Sequence, residues 1–125
     1  MKFPLLPRIA LSLAVAVTAP LAHGADAVKG AALYQAKCAM CHSADFNGAG
    51  PAHRGVFGRE SARVVGYDYS PALKSVHITW DEVNLLRWLA DPEKLVPGQK
   101  MYVSVPEAGE RADLVAYLKS LAPKK

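Results

Sequence analysis

The sequence predicts a small all-α fold of three main helices, joined by loops and short helical turns. Apolar residues recur at helical spacing in three segments, near residues 26–36, 79–90 and 106–121. Between the first two, residues 43–74 are rich in Gly, Pro, Asn and Ser, which indicates loops with one short helical turn near Pro71. Because a loop region this long is unusual in a small domain, we expect the loops to surround a ligand.

The first 24 residues have the features of a cleaved secretory signal peptide. Lys2 and Arg8 provide positive charge, residues 9–22 are almost entirely apolar, and small residues at Ala22 and Gly24 suit a signal peptidase. We therefore expect cleavage after Gly24 and one mature domain over residues 25–125. The apolar run is short for a membrane span, so an uncleaved anchor is the weaker alternative and no stable membrane insertion is expected after cleavage.

The charge of the chain does not favour nucleic-acid binding. The formal net charge is +4, and cleavage would lower it by two because Lys2 and Arg8 are the only charged residues in the signal segment. No basic stripe with interleaved aromatic residues occurs. We expect no nucleic-acid partner.

Capping signals and apolar spacing define the three helices. Asp26 is the expected N-cap of the first, Thr79 and Glu82 form a capping box for the second, and the third begins near Pro106. The second helix is expected to end at Asp91-Pro92. The residues expected on the apolar faces are Val28, Ala32, Leu33 and Tyr34 in the first helix, Val83, Leu86, Leu89 and Ala90 in the second, and Leu114, Tyr117, Leu118 and Leu121 in the third.

The segment Cys38-Ala39-Met40-Cys41-His42 is a C-x-x-C-H motif, which is typical of covalent haem attachment. Cysteines three residues apart on a helical turn project from one side and can form thioether bonds to the two vinyl groups of one haem. His42 would then ligate the iron. A thioredoxin-like dithiol would need a βαβ context that is missing here, and a structural zinc site would need four ligands.

Methionine and histidine are the candidates for the second axial ligand. Met40 lies between the attachment cysteines, and His53 follows His42 too closely to cross easily to the opposite face of the ring. Met101 lies in a turn-rich segment after Pro97-Gly98, with enough chain to wrap around the haem, and it is the favoured ligand. His77 remains an alternative.

Across nearly the whole mature chain, the sequence resembles class I cytochrome c, of the mitochondrial type and its bacterial periplasmic relatives. The resemblance rests on motifs in order along the chain: Val28-Lys29-Gly30, CAMCH at 38–42, Gly50-Pro51, GVFGR at 55–59, GYDYS at 66–70, ITW at 78–80, PGQKM at 97–101 and ERADLVAYLKSL at 110–121. It implies the small cytochrome c fold around one covalent haem c.

The resemblance also implies roles for individual residues. Met101 would be the axial thioether ligand, and the Pro51 carbonyl would accept a hydrogen bond from the His42 imidazole. Other positions match residues that hydrogen-bond near the haem propionates: Arg59, Tyr69, Trp80 and, with a looser match, Tyr67. Gly30 and Tyr117 match a close crossing of the first and last helices.

Several positions depart from the family pattern. The loop from His42 to Pro51 is shorter than in the mitochondrial proteins. Leu73 and Trp88 stand where the family usually has Asn and Tyr in a polar network beside the methionine. As apolar or donor-poor replacements, they should change the reduction potential and the stability of the Met101 bond. Glu93 replaces a lysine of the docking ring, which would retain three lysines: Lys37, Lys94 and Lys100.

These observations predict a monomeric periplasmic electron carrier that is not an enzyme. Its expected partners are membrane or periplasmic redox complexes that dock at the haem edge through the three lysines. The main alternative is a haem enzyme or gas-binding cytochrome with an open sixth coordination site, which would require Met101 to be absent from the iron. A haem-bearing subunit held permanently in a larger complex would instead expose a sizeable apolar patch.

Overall fold

The computed structural model describes Met1 and residues 24–125, so nearly all of the expected signal peptide lies outside the described residues. The described part is helical, with one isolated β-bridge between Glu60 and Thr79. This confirms the all-α prediction. The helices are α1 Ala27–Lys37, α2 Pro71–Ser75, α3 Glu82–Ala90, α4 Pro92–Leu95 and α5 Ala108–Ser120. None of the helices in this part of the chain is both long and apolar enough to cross a membrane.

Helix α1 begins as the sequence indicates. The Asp26 carboxylate accepts hydrogen bonds from the backbone N–H groups of Val28 and Lys29, which have no partner inside the helix. The expected apolar face was wrong at Val28 and Ala32, which are exposed, and right at Tyr34, which is buried. The helix also buries Gly30.

Helix α3 is capped by a different residue from the one expected. The Asp81 carboxylate accepts from Asn84 N at 2.8 Å, so Thr79 and Glu82 do not form the predicted capping box. Thr79 precedes the helix, and its carbonyl accepts from the Asn84 side chain. The helix buries Leu89, as expected, together with Leu85. Val83 and Ala90 are exposed, contrary to prediction.

Helix α5 begins two residues after Pro106 and buries Leu114 and Leu118, as expected. It crosses α1 at Gly30, where a Cβ atom would lie 2.6 Å from the backbone carbon of Asp113 and 2.8 Å from Tyr117 Cβ. The start of α1 is fixed to the same helix, because the Asp26 N–H donates to the Asp113 carboxylate at 2.7 Å. The crossing therefore joins the two ends of the described chain and fixes the position of α1, which leads directly into Cys38.

Candidate functional site

One cleft collects all nine residues that the sequence assigned to cofactor binding. It has a volume of about 380 Å³ and a mainly apolar wall. The nine residues on its wall are Cys38, Cys41, His42, Pro51, Arg59, Tyr67, Tyr69, Trp80 and Met101. They come from the turn after α1, from the long loop between α1 and α2, from the segment just before α3 and from the segment after α4. Residues spread over more than sixty positions of sequence thus face one space.

His42 is held by the turn that follows α1. Its backbone N–H donates to the Cys38 carbonyl at 2.9 Å, and its Nδ1 lies 2.8 Å from the Pro51 carbonyl oxygen. A carbonyl can only accept, so Nδ1 carries the proton and Nε2 is left with a lone pair for a metal. Burial lowers the pKa of His42, which favours this neutral form. Gly50 passes so close to the ring that a Cβ there would lie 2.6 Å from Nδ1.

The two cysteines lie in the same turn. Cys41 N donates to the Cys38 carbonyl at 3.1 Å, and both side chains reach the cleft without being joined to each other. Cys38 is half-buried, and this burial raises the pKa of its thiol to about 11, against a smaller opposing effect of Lys37. The arrangement presents two thiols and an imidazole to one space.

Met101 lies on the wall of the same cleft, beside Trp88. The Trp88 indole Nε1–H donates to the Met101 sulfur at 3.2 Å. The expectation that Trp88 would be a donor-poor neighbour was therefore wrong, because α3 directs its indole N–H at the thioether. Leu73, the other residue that departs from the family pattern beside the methionine, is buried in the core and lines the cleft as an apolar residue.

The segment before Met101 is fixed by two residues that sequence reasoning did not assign to the site. Gln99 is 3% exposed, and its side-chain oxygen accepts from the Met101 backbone N–H. Its amide nitrogen lies 3.3 Å from the carboxylate of Glu93, which also accepts from Gly98 N at 2.9 Å. Glu93, interpreted from sequence only as a lost lysine, thus supports the loop that carries Met101.

Polar groups gather around Arg59, which is half-buried in the cleft wall. Its guanidinium donates to the carbonyls of Arg54 and Ala52 at 3.0 and 3.1 Å. The Tyr69 hydroxyl accepts from Val64 N, and Tyr67 donates to the Ala49 carbonyl at 2.8 Å. Burial lowers the pKa of Arg59, but a guanidinium remains cationic in proteins. This part of the cleft suits an anionic group.

Comparison with known proteins bears on what this cleft binds. The family model described as cytochrome c matches residues 27–122. The chain is 41% identical over 100 residues to a cytochrome c from Gibberella zeae and 42% identical over 98 residues to one from Chlamydomonas reinhardtii, covering 94% and 88% of those proteins and 77% and 75% of this chain. The solved structure of cytochrome cH from Methylobacterium extorquens superposes with a TM-score of 0.73 at 40% identity, covering 98% of that chain and 76% of this one.

The chain belongs to the cytochrome c family. Proteins of this family are electron carriers and hold one haem c covalently through a cysteine pair, so the recognition and the cofactor predicted from sequence are confirmed. The residues present fit such a group. The thiols of the two cysteines, the neutral imidazole of His42 and the thioether of Met101 all line one apolar cleft. Arg59 lines it too and can face the haem propionates.

The other residues considered for the second iron ligand lie in positions that suit this role less well than that of Met101. His77 is exposed, lies outside the cleft and contacts Glu60 at 2.6 Å. Met40 is 88% exposed. His53 lines the cleft, but its ring is stacked on His42 with centroids 3.9 Å apart, and so it lies beside the imidazole ligand candidate. Burial is the main reason that the pKa of His53 falls to about 3, with a smaller effect of His42.

The three lysines of the expected docking ring are exposed on the cytochrome surface, but two of them have acidic neighbours. Lys37 forms an ion pair with Glu110 at 3.0 Å. Lys100 donates to the Asp68 carbonyl at 2.9 Å and lies 3.5 Å from its carboxylate. Lys94 lies on α4. The positive charge available to a partner is therefore reduced by this chain's own carboxylates.

Proposed function

We propose that this cytochrome is an exported, periplasmic carrier of single electrons, whose haem iron is ligated by His42 and Met101. The observation that carries the proposal is the cleft in which both side chains converge with Cys38 and Cys41. His42 is anchored through Pro51, and Met101 is fixed through its backbone by Gln99 and through its sulfur by Trp88.

His42 and Met101 would together hold the iron, which would leave no site for a substrate to coordinate and would require little rearrangement between oxidation states. Methionine is a soft, neutral ligand, so it raises the reduction potential relative to a second histidine. The apolar wall limits water around the ring, while Arg59 offers a cation to the propionates. These features favour electron transfer over binding of a gas or a peroxide.

The test is the visible spectrum of the holoprotein and of a Met101→Ala variant. We expect the oxidised wild type to show the Met–Fe(III) charge-transfer band and the reduced wild type not to bind carbon monoxide. Met101→Ala should lose the band and bind carbon monoxide. Met40→Ala is the matched control, because it removes an exposed methionine outside the cleft and should behave as wild type. A wild-type protein that binds carbon monoxide and lacks the band would have an open sixth site.

Export and docking form the remaining parts of the proposal. Residues 1–24 act as the signal peptide, so N-terminal sequencing of secreted material should begin at Ala25. Redox complexes with acidic surfaces dock at the haem edge near Lys37, Lys94 and Lys100. Association rates should therefore fall with ionic strength, though weakly, because Glu110 and Asp68 offset two of these charges. Rates that are independent of salt, or that rise with it, would rule out this basic docking site.

A further inference from the structure

The His53 side chain lies against the proximal imidazole in a way that the C-x-x-C-H motif does not require. The rings of His42 and His53 are 3.9 Å apart between centroids and only 19° from parallel. His42 already has one polar anchor, the Pro51 carbonyl at Nδ1. A single hydrogen bond fixes one ring atom but still lets the plane tilt about that point. A flat ring stacked on its face restricts that tilt.

His53 is itself held in place from two directions. Tyr34 OH and His53 Nδ1 share a hydrogen bond of 3.0 Å, and Tyr34 is only 3% exposed. The Tyr34 ring packs on Tyr117, at a centroid distance of 5.1 Å, where α1 and α5 cross. The His53 backbone N–H donates to the Ser43 carbonyl at 2.9 Å, in the residue directly after His42. The orientation of the His53 ring is therefore set by the helix crossing and not by solvent.

A purely packing role would be filled better by an aliphatic side chain. Burying an imidazole and a phenol together costs desolvation, which their shared hydrogen bond only offsets. What the pair adds over an aliphatic residue is a rigid, flat and electron-rich face against His42. Such a face also interacts favourably with positive charge, and the iron–imidazole unit becomes more positive on oxidation.

We propose that Tyr34 and His53 are positioning residues that fix the plane of the His42 imidazole at the haem iron and favour the oxidised state. This inference rests on the proposed ligation by His42 and Met101. It concerns the orientation of the ligand, which the cysteines and Pro51 leave incompletely determined. Tyr34 fixes the His53 ring through their hydrogen bond, and His53 fixes the His42 ring by stacking on it.

The test uses ferric holoprotein and its paramagnetically shifted haem-methyl resonances, whose spread depends on the orientation of the axial imidazole plane. We expect His53→Leu to change this pattern and to raise the reduction potential. Tyr34→Phe, which removes only the hydroxyl, should change the pattern in the same sense but less. His53→Phe should restore the pattern toward wild type, because it returns a flat aromatic face without the polar atoms.

Val115→Ala is the control for general loss of stability, since Val115 is buried in α5 and does not line the cleft. It should lower the melting temperature and leave the methyl pattern unchanged. A wild-type methyl pattern in His53→Leu, or an equal change of the pattern in Val115→Ala, would overturn this inference and leave the proposed ligation standing. A wild-type holoprotein without the Met–Fe(III) band would overturn the proposed ligation and this inference with it.

Discussion

The hydrogen bond from Trp88 to the Met101 sulfur predicts a defined change in reduction potential. The indole N–H points its positive end at the thioether, 3.2 Å away. It withdraws electron density from the sulfur, and this loss of donation would destabilise the electron-poorer ferric iron more than the ferrous iron, so the hydrogen bond favours the reduced state. Trp88→Phe removes the donor, keeps an aromatic ring and should lower the potential.

A neutral hydrogen bond contributes about 0.5–1.5 kcal/mol net. For a one-electron couple, about 1.4 kcal/mol corresponds to about 59 mV, so the potential should fall by about 20–60 mV if the whole bond energy distinguishes the two states. A redox titration of the haem spectrum measures this. Leu86→Val, which removes a methylene from the same helix at a partly buried residue that does not line the cleft, should shift the potential less. A potential that stays constant or rises in Trp88→Phe, with the charge-transfer band intact, would refute the reasoning.

Two further predictions follow from the helix crossing and the methionine loop. Gly30→Ala should destabilise the protein by about 1–3 kcal/mol or more, because its Cβ would overlap backbone atoms of α5. Gly109→Ala is the matched control: the space around Gly109 is open, so this variant should stabilise the protein by about 0.5–1 kcal/mol. Equal melting temperatures of the two variants would contradict this prediction. Glu93→Lys removes the acceptor for Gly98 N and the Gln99 amide, so the Met–Fe(III) band should disappear at a lower temperature than in wild type. Glu107→Lys makes the same charge change at a residue that forms no capping hydrogen bond, and an equal loss there would point to charge alone.

The local parts of the site could be predicted from sequence because short-range geometry determines them. Cys38, Cys41 and His42 lie in one turn, and Asp26 caps α1 through the nearby backbone N–H groups of Val28 and Lys29. The errors at α3 had a local cause too. Thr79 and Asp81 are both good caps, and the capping-box pattern favoured the earlier one. Val83 fits the helical spacing of Leu86 and Leu89, but tertiary packing leaves it exposed.

The contacts that sequence reasoning missed depend on how distant segments pack. Trp88 meets Met101 only because α3 lies against the loop after α4. Gln99 looks like an ordinary polar loop residue, and its burial follows from the position of Glu93 on α4. His53 was considered only as an iron ligand, since nothing in its spacing reveals a stack on His42.

The contact between Asp26 and Asp113 spans 87 positions along the chain. The turn that carries Cys38 and Cys41 is local, whereas the cover over α1 comes from the far end of the chain. A chain that has not yet folded leaves Gly30 and Tyr34 without their partner, so both thiols would be open to haem. Loop-closure entropy must be overcome before such a distant contact forms, so closure of the cleft would follow formation of the cysteine turn.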